Sequence, residues 1–224
     1  MTIPLLLSIQ VGRPRQLGAG DSTDAEERSW SSGIFKEPVA GAVWLGRINL
    51  AGDDQADRKH YGGLDKAVLA YAAEHYSSWR QELSQLELPY GAFGENFTID
   101  GLTETEVCLG DVYAIGAAQV QVSQPRQPCW KLARRWGIKD LTAQVEQTGR
   151  TGWYLRVLVE GYVQSGAPVE LLERPHPEWT IARAAHVMRH LRDDREAAAE
   201  LAACALLSST WRGTISARLE LISG

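Results

Sequence analysis

The chain has 224 residues, 44% apolar and 23% charged, with a formal net charge of −5. That length supports a full hydrophobic core, and a globular chain of one domain plus an appendage is expected. No apolar run approaches the roughly 20 residues of a membrane span, and the opening MTIPLLLSIQ lacks the basic start and cleavage site of a secretory leader, so a cytoplasmic protein without a membrane partner is expected. An acidic balance with no basic run points away from nucleic acid and toward a small-molecule partner.

In chain order, SSGIFKEP places two serines and Gly33 ahead of Lys36 in a turn whose N–H groups and ammonium can hold a phosphate. AVWLGRI, residues 42–48, reads as a strand. AGDDQADRKHYGG gathers Asp53, Gln55, Arg58 and His60 before a Gly-Gly pair. Asp65 is then expected to cap a helix in which Val68, Ala72, Tyr76, Trp79 and Leu83 recur at spacings of four or three. YGAFGENF sets Glu95 and Asn96 on a glycine-flanked turn. DVYAIGAAQVQVSQP is a hairpin about Ile115-Gly116-Ala117, with Val120 and Val122 on a buried face and Gln119, Gln121 and Ser123 on a wet one.

The hairpin runs into PRQPCWK, where proline stiffens a non-helical exit around Cys129. Arg126, Lys131, Arg134 and Arg135 are close in sequence, and a positive field favours a thiolate that binds soft metals or attacks electrophiles. The other cysteines, Cys108 and Cys204, are remote and form no C-x-x-C or Cys/His ligand spacing, which argues against zinc, iron–sulfur clusters and disulfides. An ordinary buried cysteine is the alternative reading of Cys129.

TGRTGWYLRV carries Arg150 between glycines and Arg156 in the strand that follows, where an inward guanidinium can grip a phosphate or carboxylate. WYLRVLVEGYVQSGAPVELL continues the β pattern, with turns at Glu160-Gly161 and Ser165-Gly166. After ERPHPEW the composition turns helical. Thr180 is expected to cap a helix carrying Ile181, Ala184, Met188 and Leu191; a second starts near Arg195, and Ser209 is expected to cap a third. Residues 173–224 hold seven Arg, no Lys and seven acidic residues, a charge balance that opposes DNA binding. The division is therefore a mainly β domain over 1–172 and a three-helix region over 173–224. No G-x-S-x-G, Walker loop or H-E-x-x-H occurs, so serine-hydrolase, P-loop and zincin chemistry find no motif.

SGIFKEP, GDDQADRKHYGGLDKAV, YGAFGENFTIDGLTE, LGDVYAIGAAQVQVSQPRQPCWKLA and TGRTGWYLRVLVEG, in that order and followed by three helices, resemble the MOSC-domain family, named for the C-terminal domain of molybdenum-cofactor sulfurases, and within it the YiiM-like branch. The resemblance spans about residues 30–222. It implies a MOSC β-barrel similar to the barrel of pyruvate kinase, with a pterin-based molybdenum cofactor in a basic pocket. Cys129 falls on the family's single cysteine and would be the protein ligand to the metal and the catalytic residue. By the same resemblance Lys36, Arg58, Arg126, Arg150 and Arg156 would hold the cofactor's phosphate or pterin, and Asp53, Glu95 and Asn96 the pterin edge. The family usually has histidine directly before the Gly-Gly pair; here Tyr61 stands there and His60 lies one residue upstream, on the opposite face if the segment is extended.

The activity implied is reduction of N-hydroxylated bases such as 6-hydroxylaminopurine, with electrons from an external reductase, since no flavin, haem or iron–sulfur motif is present. The alternatives are a sulfur carrier with a persulfide on Cys129 and a non-catalytic cofactor-binding module. Pyridoxal phosphate, also associated with the family, belongs to a separate sulfurase domain and would need a Schiff-base lysine; Lys36, Lys66 and Lys131 are available and nothing selects one. The helical region could cover a barrel edge or form an oligomer contact.

Overall fold

The computed structural model describes residues 3–18, 28–57, 62–84 and 87–222. The first strands are β1 (Leu5–Val11), β2 (Arg15–Leu17), β3 (Trp30–Ser32), β4 (Glu37–Pro38) and β5 (Val43–Leu45). A single 3-10 turn, Leu64–Lys66, leads into β6 (Val68–Ala72), α1 (His75–Glu82) and β7 (Phe97–Asp100). The central hairpin is β8 (Val112–Ile115) and β9 (Ala118–Pro125), followed by α2 (Trp130–Trp136) and α3 (Leu141–Thr148). Strands β10 (Trp153–Val159), β11 (Gly161–Val163) and β12 (Val169–Glu173) precede α4 (Ile181–Arg189), α5 (Arg195–Ala203) and α6 (Ser209–Ile222).

Eight strands form one sheet in the order β12-β8-β9-β10-β6-β7-β1-β4. Its neighbours are antiparallel except β6 and β7, whose parallel pairing needs a crossover, and α1 supplies it. The sheet curls onto itself: Leu6 N donates to Ala167 O at 3.0 Å, Gly166 N to Leu6 O at 2.7 Å and Val169 N to Pro4 O at 2.8 Å, so β1 meets the approach to β12. This curl agrees with the MOSC β-barrel that the resemblance implies, β1 and the approach to β12 pairing along part of the seam.

The helix expected from Asp65 to Leu83 is instead a 3-10 turn that contains Asp65, the strand β6 and the helix α1. All five residues of β6 are buried; Val68, Ala70 and Ala72 join the main core, whereas Tyr71 packs with Tyr76, Trp79 and Phe93 beneath α1. A strand covered on both faces is apolar throughout, and its residues fall at helical spacing with those of the next helix by coincidence. The wet face expected of β9 is also corrected, because Gln121, Ser123 and Gln124 are buried beside the helical region. Buried hydrogen bonds account for these polar residues: Ser123 Oγ donates to Tyr154 O at 3.1 Å, and Ser208 Oγ to Gln124 Oε1 at 2.7 Å.

The three C-terminal helices start as capping residues dictate. Thr180 Oγ1 accepts from Arg183 N at 3.1 Å and Asp194 Oδ1 from Ala197 N at 3.0 Å. For α6 the cap is Ser208, whose Oγ accepts from Trp211 N at 3.2 Å; Ser209, the expected cap, is the first helical residue and bonds to Asp65 instead. Trp179, Ile181, Val187, Met188, Leu201, Trp211 and Ile215 belong to the same buried cluster as Val107, Val120 and Val122 of the barrel. No helix among the described residues is long and apolar enough to cross a membrane.

Candidate functional site

Where β9 ends, the chain turns through Arg126–Cys129 into α2. Arg126 N donates to Gly152 O at 3.0 Å, tying this exit to the start of β10. Gly152 is required there: its φ is +75°, and a Cβ would stand 2.4 Å from Ala70 O. Cys129 is extended (φ −126°, ψ 165°) and half-buried, and its carbonyl accepts from Thr142 Oγ1 at 3.1 Å. It lines a cavity together with Ser32, Gly33, Lys36, Asp53, Asp54, Asp57, Lys66, Leu69, Phe93, Asn96, Arg126, Lys131 and Tyr154, among others. A proline-stiffened strand exit thus places one cysteine in the cavity wall.

Several distant segments meet at Asp53. Its Oδ1 accepts from Gly12 N at 2.8 Å and forms a buried ion pair with Lys36 Nζ, and its Oδ2 accepts from Asn96 Nδ2 at 3.0 Å. Asn96 Nδ2 also donates to Gln10 O at 3.2 Å, while its Oδ1 accepts from Leu69 N at 3.2 Å. Burial lowers the Lys36 pKa, with Asp53 acting in the opposite direction. Gly33 lets two of these loops cross, since a Cβ there would stand 2.5 Å from Asp54 O. Glu95 is fully buried under the cavity floor and accepts from Gly91 N at 2.7 Å, Phe93 N at 3.1 Å, Thr98 Oγ1 at 3.2 Å and Tyr76 Oη. It shapes the loop that carries Phe93 and Asn96 and does not line the cavity.

Helix α2, unread in the sequence, locks the remaining wall. Lys131 Nζ donates to Ser31 O at 2.8 Å, Arg135 Nη1 to Gly91 O at 2.7 Å and Trp136 Nε1 to Ala92 O at 2.9 Å. Arg126 is the cation set deepest: Nη2 donates to Phe93 O at 2.9 Å, and buried Nη1 has no hydrogen-bond partner among the described residues. Tyr154 has its pKa pushed up to about 12, chiefly by burial, with Arg126 acting to lower it. Lys66, whose ammonium lies 5.9 Å from the Tyr154 ring centroid, has its pKa lowered by burial.

Of the residues singled out in the sequence, Cys129, Lys36, Asp53, Asn96 and Arg126 line one cavity. Arg150 and Arg156 do not. Arg150 Nη1 pairs with Glu82 at 2.9 Å and its guanidinium lies 4.8 Å from the Trp79 ring centroid. Arg156 pairs with Asp65 at 2.9 Å and donates to Leu206 O at 2.9 Å, facing the helical region. Arg58, His60 and Tyr61 lie outside the described residues. Lys131, read in the sequence as part of the positive field around Cys129, and Lys66, read only as an available lysine, also line the cavity, and Tyr154 lines it without having been singled out.

Among the described residues no three His, Cys, Asp or Glu side chains converge on a metal position. A metal beside Cys129 would therefore take one protein sulfur and its remaining ligands from an organic group. The unsatisfied Arg126 donor and the neighbouring Lys36, Lys66 and Lys131 suit an anionic group, so the donor set fits a phosphate-bearing pterin dithiolene.

A curled β-sheet with a cavity that sets one cysteine among lysine, arginine and aspartate side chains, followed by a three-helix region, is the architecture of a MOSC protein with a YiiM-type extension. The MOSC domain family matches residues 57–170, and the YiiM-like, 3-alpha helix domain matches residues 179–221. The chain belongs to the MOSC-domain family, in its YiiM-like branch. It is 44% identical to the uncharacterized protein YflK of Bacillus subtilis (strain 168), over 93% of this chain and 91% of that protein. The crystal structure of YiiM from Geobacillus stearothermophilus superposes with a TM-score of 0.80 at 41% identity, covering 96% of this chain and 99% of that one. A protein of Gibberella moniliformis (strain M3125 / FGSC 7600) named "Reductase" is 34% identical over 83% of this chain, which spans 32% of that longer protein.

Proposed function

We propose that this protein is a molybdenum-cofactor-dependent reductase of N-hydroxylated bases such as 6-hydroxylaminopurine, with Cys129 as the protein ligand to the metal. The observation that carries this reading is the meeting of a single half-buried thiol with an unsatisfied buried guanidinium in one cavity. Membership of the MOSC family and the relative named "Reductase" support it.

The bound cofactor would supply two-electron chemistry at a metal centre. The chain's residues have separate tasks. Cys129 anchors through sulfur, held by the extended backbone between Pro128 and α2. Arg126, Lys36 and Lys131 oppose the cofactor's negative charge, and Asn96 and Asp53 fix the pterin-facing loop. Reducing R–NHOH to R–NH2 and water consumes two electrons and two protons, so a group must release protons into the cavity. Lys66, which lines the cavity and whose pKa burial lowers against the opposing pull of Asp65 and Asp57, is our candidate for that role, since a depressed ammonium gives up its proton more readily. A separate reductase chain would supply the electrons.

The test is elemental mass spectrometry of protein made in a host that synthesises the cofactor. Near-stoichiometric molybdenum is expected in the wild type, with a loss of at least about tenfold in Cys129→Ser together with loss of 6-hydroxylaminopurine reduction. Full metal content and unchanged turnover in folded Cys129→Ser would overturn the assignment.

A further inference from the structure

Strand β10 carries one tyrosine that the barrel core does not take up. Trp153 and Leu155, its neighbours on the strand, both belong to that core, so alternation turns Tyr154 to the outer face of the sheet. There it stands in register with Leu69 of β6 on one side and Gln124 of β9 on the other. Leu69 lines the cavity with it, whereas Gln124 accepts from Ser208 of the helical region. Tyr154 is 8% exposed, and the charges of Arg126 and Cys129 both act on its hydroxyl, which therefore lies on the side of the cavity where those two residues meet. The other three buried tyrosines all bond through their hydroxyls: Tyr71 Oη donates to Arg150 O at 3.0 Å, Tyr113 Oη to Asp111 Oδ2 at 2.9 Å and Tyr76 Oη to Glu95. The Tyr154 hydroxyl makes no hydrogen bond among the described residues. Buried phenols as a rule have a partner, so this exception calls for one from outside the chain.

We propose that the Tyr154 hydroxyl donates a hydrogen bond to the oxygen of the substrate's N–OH group, beside the metal position at Cys129, and so selects N-hydroxylated bases over the amines they become. This rests on the reductase reading, in which the N–O bond must lie at the metal to be cleaved. A donor close to the metal ligand meets the one atom that the amine product lacks. Two donors without protein partners then divide the work by charge: the Arg126 guanidinium suits the cofactor's anion, and a neutral phenol suits an uncharged oxygen. As R–NHOH takes up two electrons and two protons to give R–NH2 and water, that oxygen gains electron density, so the same hydrogen bond strengthens on the way to the product. A site that hydrogen-bonds a substrate hydroxyl also discriminates against the analogue without it more sharply than an apolar pocket can.

The test uses full-length protein from a host that makes the cofactor, without an electron donor, so that binding occurs without turnover. Calorimetric titrations with 6-hydroxylaminopurine and with adenine are compared for wild type and Tyr154→Phe, and molybdenum is measured in both. Tyr154→Phe removes one oxygen that has no protein partner, so it is expected to fold and to keep its metal. Its affinity for 6-hydroxylaminopurine should fall about threefold to tenfold, while its affinity for adenine stays within about twofold of wild type. Unchanged affinity for 6-hydroxylaminopurine overturns the proposal, as does an equal loss for both ligands. Molybdenum below about half of the wild-type content in Tyr154→Phe assigns the hydroxyl to the cofactor and overturns the substrate contact. Wild type that reduces the base, beside a Tyr154→Phe form that binds it equally well, refutes this contact and leaves the reductase reading standing. Metal-free wild type that still shows the Tyr154-dependent preference refutes the reductase reading and keeps the contact; wild type that binds neither ligand refutes the contact.

Discussion

Asp53 is the residue on which the cavity's loops converge, and its environment defines what its removal does. It has a buried ion pair with Lys36 and accepts hydrogen bonds from Gly12 and Asn96, so Asp53→Ala strands a buried ammonium and two donors. A loss of about 3–5 kcal/mol in unfolding free energy is expected from urea titration, with part recovered in the double variant that also carries Lys36→Met. Tyr154 gives a pH-dependent test. Its folded pKa is raised to about 12 from an ordinary value near 10, so the folded state keeps a proton that the unfolded state releases first. The resulting stability is fully present below pH ~10 and is lost as pH rises to ~12, a change of about 2–3 kcal/mol. Wild type should therefore lose stability over that window more steeply than Tyr154→Phe in urea titrations at each pH; parallel curves would refute the assignment. Cys129 and Asp53 were legible because Pro-Cys and clustered polar loops are locally unusual. Lys66 and Tyr154 were not, because an ammonium after a turn or a tyrosine in a strand becomes a cavity wall only through the pairing of β9 with β10.

At the scale of elements, the hairpin β8–β9 and the Thr180 cap of α4 were readable because a Gly-containing turn and a Thr before a helix act within a few residues. Strand β6 was misread because its five residues are buried on both sides by partners remote in sequence, and α2 was missed because a helix of seven residues has almost no period. The same long-range logic explains Arg156. It holds Asp65 at 2.9 Å, and Asp65 Oδ2 accepts from Ser209 N at 3.0 Å and Ser209 Oγ at 3.1 Å. The 3-10 turn that carries Lys66 is thereby fastened to the first turn of α6. Asp65→Ala should cost about 1–2 kcal/mol, and amide exchange at the start of α6 should accelerate while the core of β9 keeps its protection. Amine-labelling rates at Lys66 should change in this variant and those at Lys139 should not. Unaltered exchange and labelling would show that the turn is placed by β10 alone.

For the whole molecule, the family matches fall in two blocks, yet the hydrophobic core is continuous across them. Val107, Val120 and Val122 share one buried cluster with Trp179, Ile181, Met188, Leu201, Trp211 and Ile215, and Cys108 bridges to Thr180 through backbone pairing. Exposing one large apolar side chain costs roughly 1.5–3 kcal/mol, so uncovering several removes more than the 5–15 kcal/mol by which a typical domain is stable. Buried polar groups add to this: Ser208 N donates to Ser123 O at 2.9 Å, and Arg174 pairs with fully buried Asp111 at 2.7 Å. A chain ending at residue 172 would leave the Asp111 carboxylate without that guanidinium and β9 without its cover. It should therefore accumulate as aggregate, while the full chain unfolds in a single transition with coincident tryptophan fluorescence and circular dichroism. Two separated transitions, or a soluble and well-dispersed fragment of residues 1–172, would show instead that the barrel carries its own stability and that the helices are an independent module.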